Sequence, residues 1–129
     1  MANNYAGIER REFFRYRYEK PIHYKVVNSA KDKNHASKLM NAVSKNLSAS
    51  GILFASKFLP EISSILVLDL DYRTTRVCQE IEERALILND KLLGKVVRIE
   101  ETDDGFYDVG VAFVKKSDTL PKDITNLVK

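Results

Sequence analysis

The most constraining feature is a stretch of clean period-two alternation near the carboxyl end. Tyr107, Val109, Val111 and Phe113 fall on one side of the chain and Asp108, Gly110 and Ala112 on the other. That is the pattern of a half-buried strand. Just upstream, Asp103-Asp104-Gly105 supplies turn chemistry. Before that turn, Leu92 to Ile99 reads as a partner strand carrying β-branched Val96, Val97 and Ile99. Further strands are legible upstream. Ile22, Tyr24 and Val26 alternate after Pro21, and a weaker strand is expected from about Leu39 to Leu47, broken by Ser48-Ala49-Ser50-Gly51. Ile52 to Phe54 starts another strand, and in Ser64 to Asp71 the residues Leu66, Leu68 and Leu70 share a face. Short strands with regular turns predict a small antiparallel barrel or sandwich. A terminal helix is expected at about residues 118–128, where Pro121 sits near a start and Leu120, Ile124, Leu127 and Val128 form one stripe.

Residues 28–38 are polar and read as a loop. Residues 73–88 support two readings. Val77, Ile81, Ala85 and Leu88 fall at helical spacing, while the flanking strands favour an extended hairpin. No linker divides the 129 residues, and 44% hydrophobic content is ample for a single core. The expected division is an amino-terminal arm over residues 1–20, flexible and rich in arginine, followed by one barrel domain over 21–129.

Composition excludes several classes. The net charge of +3 is too balanced for wholesale binding to a polyanion, so a barrel that binds single-stranded nucleic acid is disfavoured. No apolar run approaches the roughly 20 residues of a membrane span, and the first residues lack the apolar segment of a secretory signal. The single cysteine, Cys78, fits a reducing compartment, so a cytoplasmic protein is expected. His23 and His35 have no partner at ligand spacing, and no metal is expected. An enzyme is not expected either. There is no Ser/His/Asp constellation and no phosphate-binding glycine loop, and the paired carboxylates Asp69/Asp71 and Asp103/Asp104 suit a solvated edge and a turn.

Two short patterns carry the candidate chemistry. In the window from Glu9 to Lys20, Arg10, Arg11, Arg15 and Arg17 alternate with Phe13, Phe14, Tyr16 and Tyr18, and this window holds half of the chain's eight arginines. Arg11 and Arg15 form an R-x-x-x-R spacing that alone means little, since chance supplies roughly half an occurrence in such a chain. Asn46, Ser48 and Gly51 form N-x-S-x-x-G between two expected strands. Each of these residue types also favours ordinary turns. It is the combination, in this order around a short strand, that is unusual.

Together these residues resemble the PilZ domain, the bacterial receptor module for cyclic di-GMP. Gly94-Lys95-Val96-Val97-Arg98-Ile99-Glu100 is similar to that family's G-x-V-V-x-[VI]-E strand, and Gly110-Val111-Ala112-Phe113 to its closing strand. The 28–38 loop is longer than the family's minimal form, and residues 72–88 look like an insertion. The resemblance implies a mainly β fold, a six-stranded antiparallel barrel with a carboxy-terminal helix. It also implies cyclic di-GMP as the ligand, without other cofactors, and output through a downstream protein partner. The implied ligand residues are Arg11, Arg15, Asn46, Ser48 and Gly51. Arg10, associated in the family with an intercalated ligand dimer, and Arg98, a stacking candidate, stand beside them.

The chemistry of these residue types suits that ligand. A guanidinium fork can bridge guanine O6 and N7, or hold phosphate oxygens, with paired hydrogen bonds. Guanine's opposite edge presents N1–H and N2–H donors, for which the Asn46 amide oxygen and the Ser48 hydroxyl are candidate acceptors. Gly51 allows either close approach of the ligand or an unusual backbone angle. The rival from another class is a PilZ-like adaptor that binds protein and no nucleotide.

Overall fold

The computed structural model describes residues 15–28 and 38–120. Arg10, Arg11, most of the polar 28–38 loop and most of the expected terminal helix lie outside the described residues; of that helix, only Asp118 to Leu120 are described, and they are irregular. The strands are β1 (Tyr16–Arg17), β2 (Pro21–Asn28), β3 (Met40–Leu47), β4 (Gly51–Ser56), β5 (Ile65–Asp69), β6 (Ile87–Leu88), β7 (Lys91–Glu101) and β8 (Tyr107–Phe113). Among the described residues one α-helix, α1 (Cys78–Arg84), follows a 3-10 turn at Tyr72–Thr74.

Six strands close into a ring. Hydrogen-bonded neighbours run β3, β2, β5, β7, β8, β4, and β4 pairs again with β3, every pairing antiparallel. The two-residue strands lie outside this ring, β1 on β3 and β6 on β7. The alternation read in the sequence is what closes the barrel. Ile22 and Tyr24 of β2, Phe54 of β4, Leu66 and Leu68 of β5, Leu92 and Val96 of β7, and Val109 and Val111 of β8 fill one core cluster. Burying each such side chain contributes on the order of 1.5–3 kcal/mol. The Tyr24 and Phe54 rings stand 5.1 Å apart in a tilted pair. The Tyr24 hydroxyl shares a 2.8 Å hydrogen bond with Ser56 Oγ. Burial pushes that phenol above its ordinary pKa, and the bond to Ser56 partly offsets the effect.

The other face of β5 is also covered. Ile65 and Val67, with Val27, Leu93 and Val114, form a second cluster outside the barrel, against which Leu86, Leu88 and Leu120 pack. Burial on both faces explains why Ile65 to Leu68 is continuously apolar rather than alternating.

Of the two readings of residues 73–88, the helix forms over Cys78–Arg84, while no hairpin lies within the segment: only Ile87–Leu88 is strand, and it pairs with β7. The helical spacing is real for Val77, Ile81 and Ala85: Ile81 and Ala85 are buried in the main core and Val77 packs against it. Leu88 leaves that series and belongs to β6. There a tight hairpin joins β6 to β7 through Asn89 (φ 54°) and Asp90 (φ 62°), both left-handed, as a two-residue turn of type I′ requires.

The chain enters the barrel through a buried serine. Ser44 Oγ donates to the Tyr18 carbonyl (2.5 Å) and accepts from the Lys20 N–H (3.0 Å). The Tyr18 ring is itself part of the core cluster. Tyr18 thus anchors the end of the arginine-rich window on the barrel.

Candidate functional site

The turn from β3 to β4 builds one wall of the site. Ser48 is 3% exposed, and its hydroxyl is spent locally. It accepts from the Ser50 N–H (3.2 Å) and lies 3.1 Å from Ser50 Oγ, while the Ser48 N–H donates to the Gly51 carbonyl (2.9 Å). This side chain shapes the turn, as serine commonly does, and it does not line the cavity beside it. Gly51 has its own structural reason. A Cβ there would lie 2.3 Å from the Val111 carbonyl oxygen, so the missing side chain lets β4 run against the β8 backbone. Its φ is not in the left-handed range, which among the described glycines is occupied by Gly105.

Beside this turn the outer barrel wall holds a cavity of about 260 Å³. Arg15, Asn46, Gly51 and Arg98 all line it, although they are spread over more than eighty positions of the chain. Strand pairing explains the meeting. β1 sets Arg17 opposite Asn46 and so delivers Arg15 to the mouth. The β4–β8–β7 ladder then carries the wall across to Arg98, which pairs with Gly110. A Cβ at Gly110 would be 3.3 Å from Arg98 Cβ, so glycine opposite leaves the arginine room.

Two bulges border the cavity. The β3–β4 register shifts between Ser44 and Asn46, and the β7–β8 register between Val96 and Arg98. A bulge adds one residue to a strand and re-aims its neighbours. Here the β7 bulge leaves consecutive Val97 and Arg98 both exposed, and both line the cavity. The Arg98 guanidinium is held by Glu100 at 3.0 Å in an exposed pair, an arrangement worth at most about 1 kcal/mol.

On the other side of Arg15 and Asn46, a more open depression of about 650 Å³ is lined also by Arg17, Val43, Lys45 and Ala55. Arg15 and Asn46 therefore stand between two hollows. Arg17 is turned to Glu19 at 3.2 Å.

The cavity also contains residues that the motifs do not mark. Ser50, inside N-x-S-x-x-G but at an unspecified position, is exposed and lines it, as does Lys115 just past β8. Ser50 could have been found by asking which serine of the turn has a free face; nothing in the sequence around Lys115 singles it out. Among the described residues there is no cluster of His, Cys, Asp and Glu able to hold a metal ion, and no helix long and apolar enough to cross a membrane.

The geometry defines a class: a closed six-stranded barrel with a cation-lined cleft on its outer wall, bordered by a tight polar turn. The PilZ domain family model matches residues 9–129, essentially the whole chain, and the chain belongs to the PilZ family. PilZ domains are a cyclic di-GMP-binding type of domain and act generally as receptors or adaptors rather than as enzymes. No curated protein matches the chain.

Proposed function

We propose that this protein is a non-enzymatic bacterial receptor for cyclic di-GMP that works in the cytoplasm. The carrying observation is the single cavity that unites Arg15, Asn46, Gly51 and Arg98. Arg15 offers its guanidinium fork to a guanine O6/N7 edge or to phosphate. Asn46 offers its amide oxygen to the guanine donors. Arg98, released from its exposed pairing with Glu100, stacks its guanidinium plane on a base. Ser48 acts through the turn that holds Asn46 and Gly51 in place. Arg11, and Arg10 beside it, complete the grip when the arm folds over the nucleotide. Exchanging one exposed surface for another then alters the interaction with a downstream protein.

Isothermal titration of the purified chain with cyclic di-GMP tests this reading. Losing one charge-assisted contact of about 1.5–3 kcal/mol should weaken Arg15→Ala and Arg11→Ala by roughly 10–150-fold. A wild-type chain that gives no heat and no rise in melting temperature with the nucleotide refutes it.

One observation favours the adaptor reading as a second choice. An apolar groove of about 390 Å³ lies on the same barrel, lined by Ile22, Ala42, Val43, Phe58 and Phe106 among others. Partner binding that survives an Arg11/Arg15 double alanine variant and ignores cyclic di-GMP would select it.

A further inference from the structure

The cleft contains a third cation that neither motif marks. Lys115 is exposed, lines the same cavity as Arg15 and Arg98, and makes no ion pair with any described residue. Its backbone is fastened on both sides. The Lys115 N–H donates to Asp118 Oδ2 at 2.9 Å, and Lys115 forms an isolated antiparallel bridge with Ala85. Its neighbours are stitched to the end of α1 in the same way: the Leu86 N–H donates to the Val114 carbonyl (2.7 Å) and the Lys116 N–H to the Arg84 carbonyl (3.0 Å). Residues 84–86, at the end of the segment read above as an insertion, thus brace the short stretch that brings a lysine to the cavity.

We infer that Lys115 is a phosphate-binding residue of this cleft, positioned by the 78–86 segment. The inference rests on the cyclic di-GMP reading above and assigns one part of that ligand. A lysine ammonium is a compact point charge without the planar donor pair that matches a guanine edge, so it suits a phosphate oxygen. Asn46 and the arginine forks are then left to read the bases. A fixed backbone with a long, rotatable stem lets the ammonium reach the anion without moving the barrel, and among the described residues no ion-pair partner has to be displaced first.

The test titrates cyclic di-GMP into wild type, Lys115→Gln and Lys115→Arg, each at two ionic strengths. Lys115→Gln should bind roughly 5–20-fold more weakly and lose part of the salt dependence. Lys115→Arg should stay within about threefold of wild type, with the melting temperatures of both free variants unchanged. Glutamine binding as tightly as lysine overturns the inference while leaving the receptor reading intact. Arginine failing as badly as glutamine also overturns it, since the charge would then not be what matters. A wild type that binds no cyclic di-GMP overturns both.

Discussion

Replacing Gly51 by alanine separates a structural requirement from a ligand requirement at the most informative position of the turn. The added methyl would lie 2.3 Å from the Val111 carbonyl oxygen and 3.3 Å from its carbon, where ordinary contact begins near 3.4 Å. The obstacle is main chain of the neighbouring strand, so no side-chain rotation relieves it, and β4 must move off β8 where Gly51 pairs with Ala112. Overpacking of this kind costs about 1–3 kcal/mol, and a rigid obstacle argues for the upper part of that range. In a domain of this size each kcal/mol lowers the melting temperature by roughly 3–5 °C, so a loss of about 6–15 °C is expected in thermal unfolding followed by circular dichroism. Gly94 provides the internal control. Its Cβ would meet Val111 Cγ1 at 2.2 Å, a side-chain atom that a second substitution removes. Gly94→Ala should therefore be largely rescued by Val111→Ala, and Gly51→Ala should not be, because the carbonyl remains. A Gly51→Ala variant that melts within about 2 °C of wild type refutes the reasoning and returns the glycine to the ligand.

Two further predictions concern the barrel. Tyr24→Phe removes the buried bond to Ser56, while Ser56 Oγ keeps the Phe58 N–H as a donor at 3.1 Å; a loss of about 1 kcal/mol is expected, and a loss above about 3 kcal/mol in urea unfolding would show that the bond matters more than its geometry implies. Asp104 is held below its ordinary pKa of 3.8, chiefly by the Thr102 hydroxyl and then by the Phe106 N–H. A depressed carboxyl contributes stability that is present above the unfolded value and is lost as pH falls through the folded one. The protection factor of the Phe106 amide should therefore fall as pH drops below 3.8 in wild type more than it does in Asp104→Asn, and equal profiles for the two would contradict this.

The parts of the fold that depend on alternation alone were legible in the sequence. Tyr107 to Phe113, Leu66 to Leu70 and Ile22 with Tyr24 each place their apolar residues in the core as the period requires. What was hidden depends on pairing. Residues 72–88 read as two competing structures because a seven-residue helix and a two-residue strand share a window shorter than either pattern needs for decision. The Asn89-Asp90 turn was the available signal for the hairpin half. In the site, motif spacing picked Arg15, Asn46 and Gly51, and the family resemblance added Arg98; these four meet at one cavity, but the same spacing marked Ser48 and passed over Ser50. Which serine faces outward depends on how the turn folds, and which residues of β7 are re-aimed depends on a bulge created by its partner strand. Lys115 reaches the cavity through bonds to residues thirty positions earlier, a relation that no local pattern records.

Ring closure constrains how such a barrel could communicate. Among the described residues each of the six strands of the cylinder has a hydrogen-bonded neighbour on both sides, which leaves only short stretches of ladder edge for a foreign chain to extend. On the receptor reading proposed above, a downstream protein would then bind chiefly through side chains displayed on the barrel's outside. On that reading such recognition would rest on shape and charge, and single substitutions on the cylinder's skin should weaken a partner's binding without changing the affinity for cyclic di-GMP.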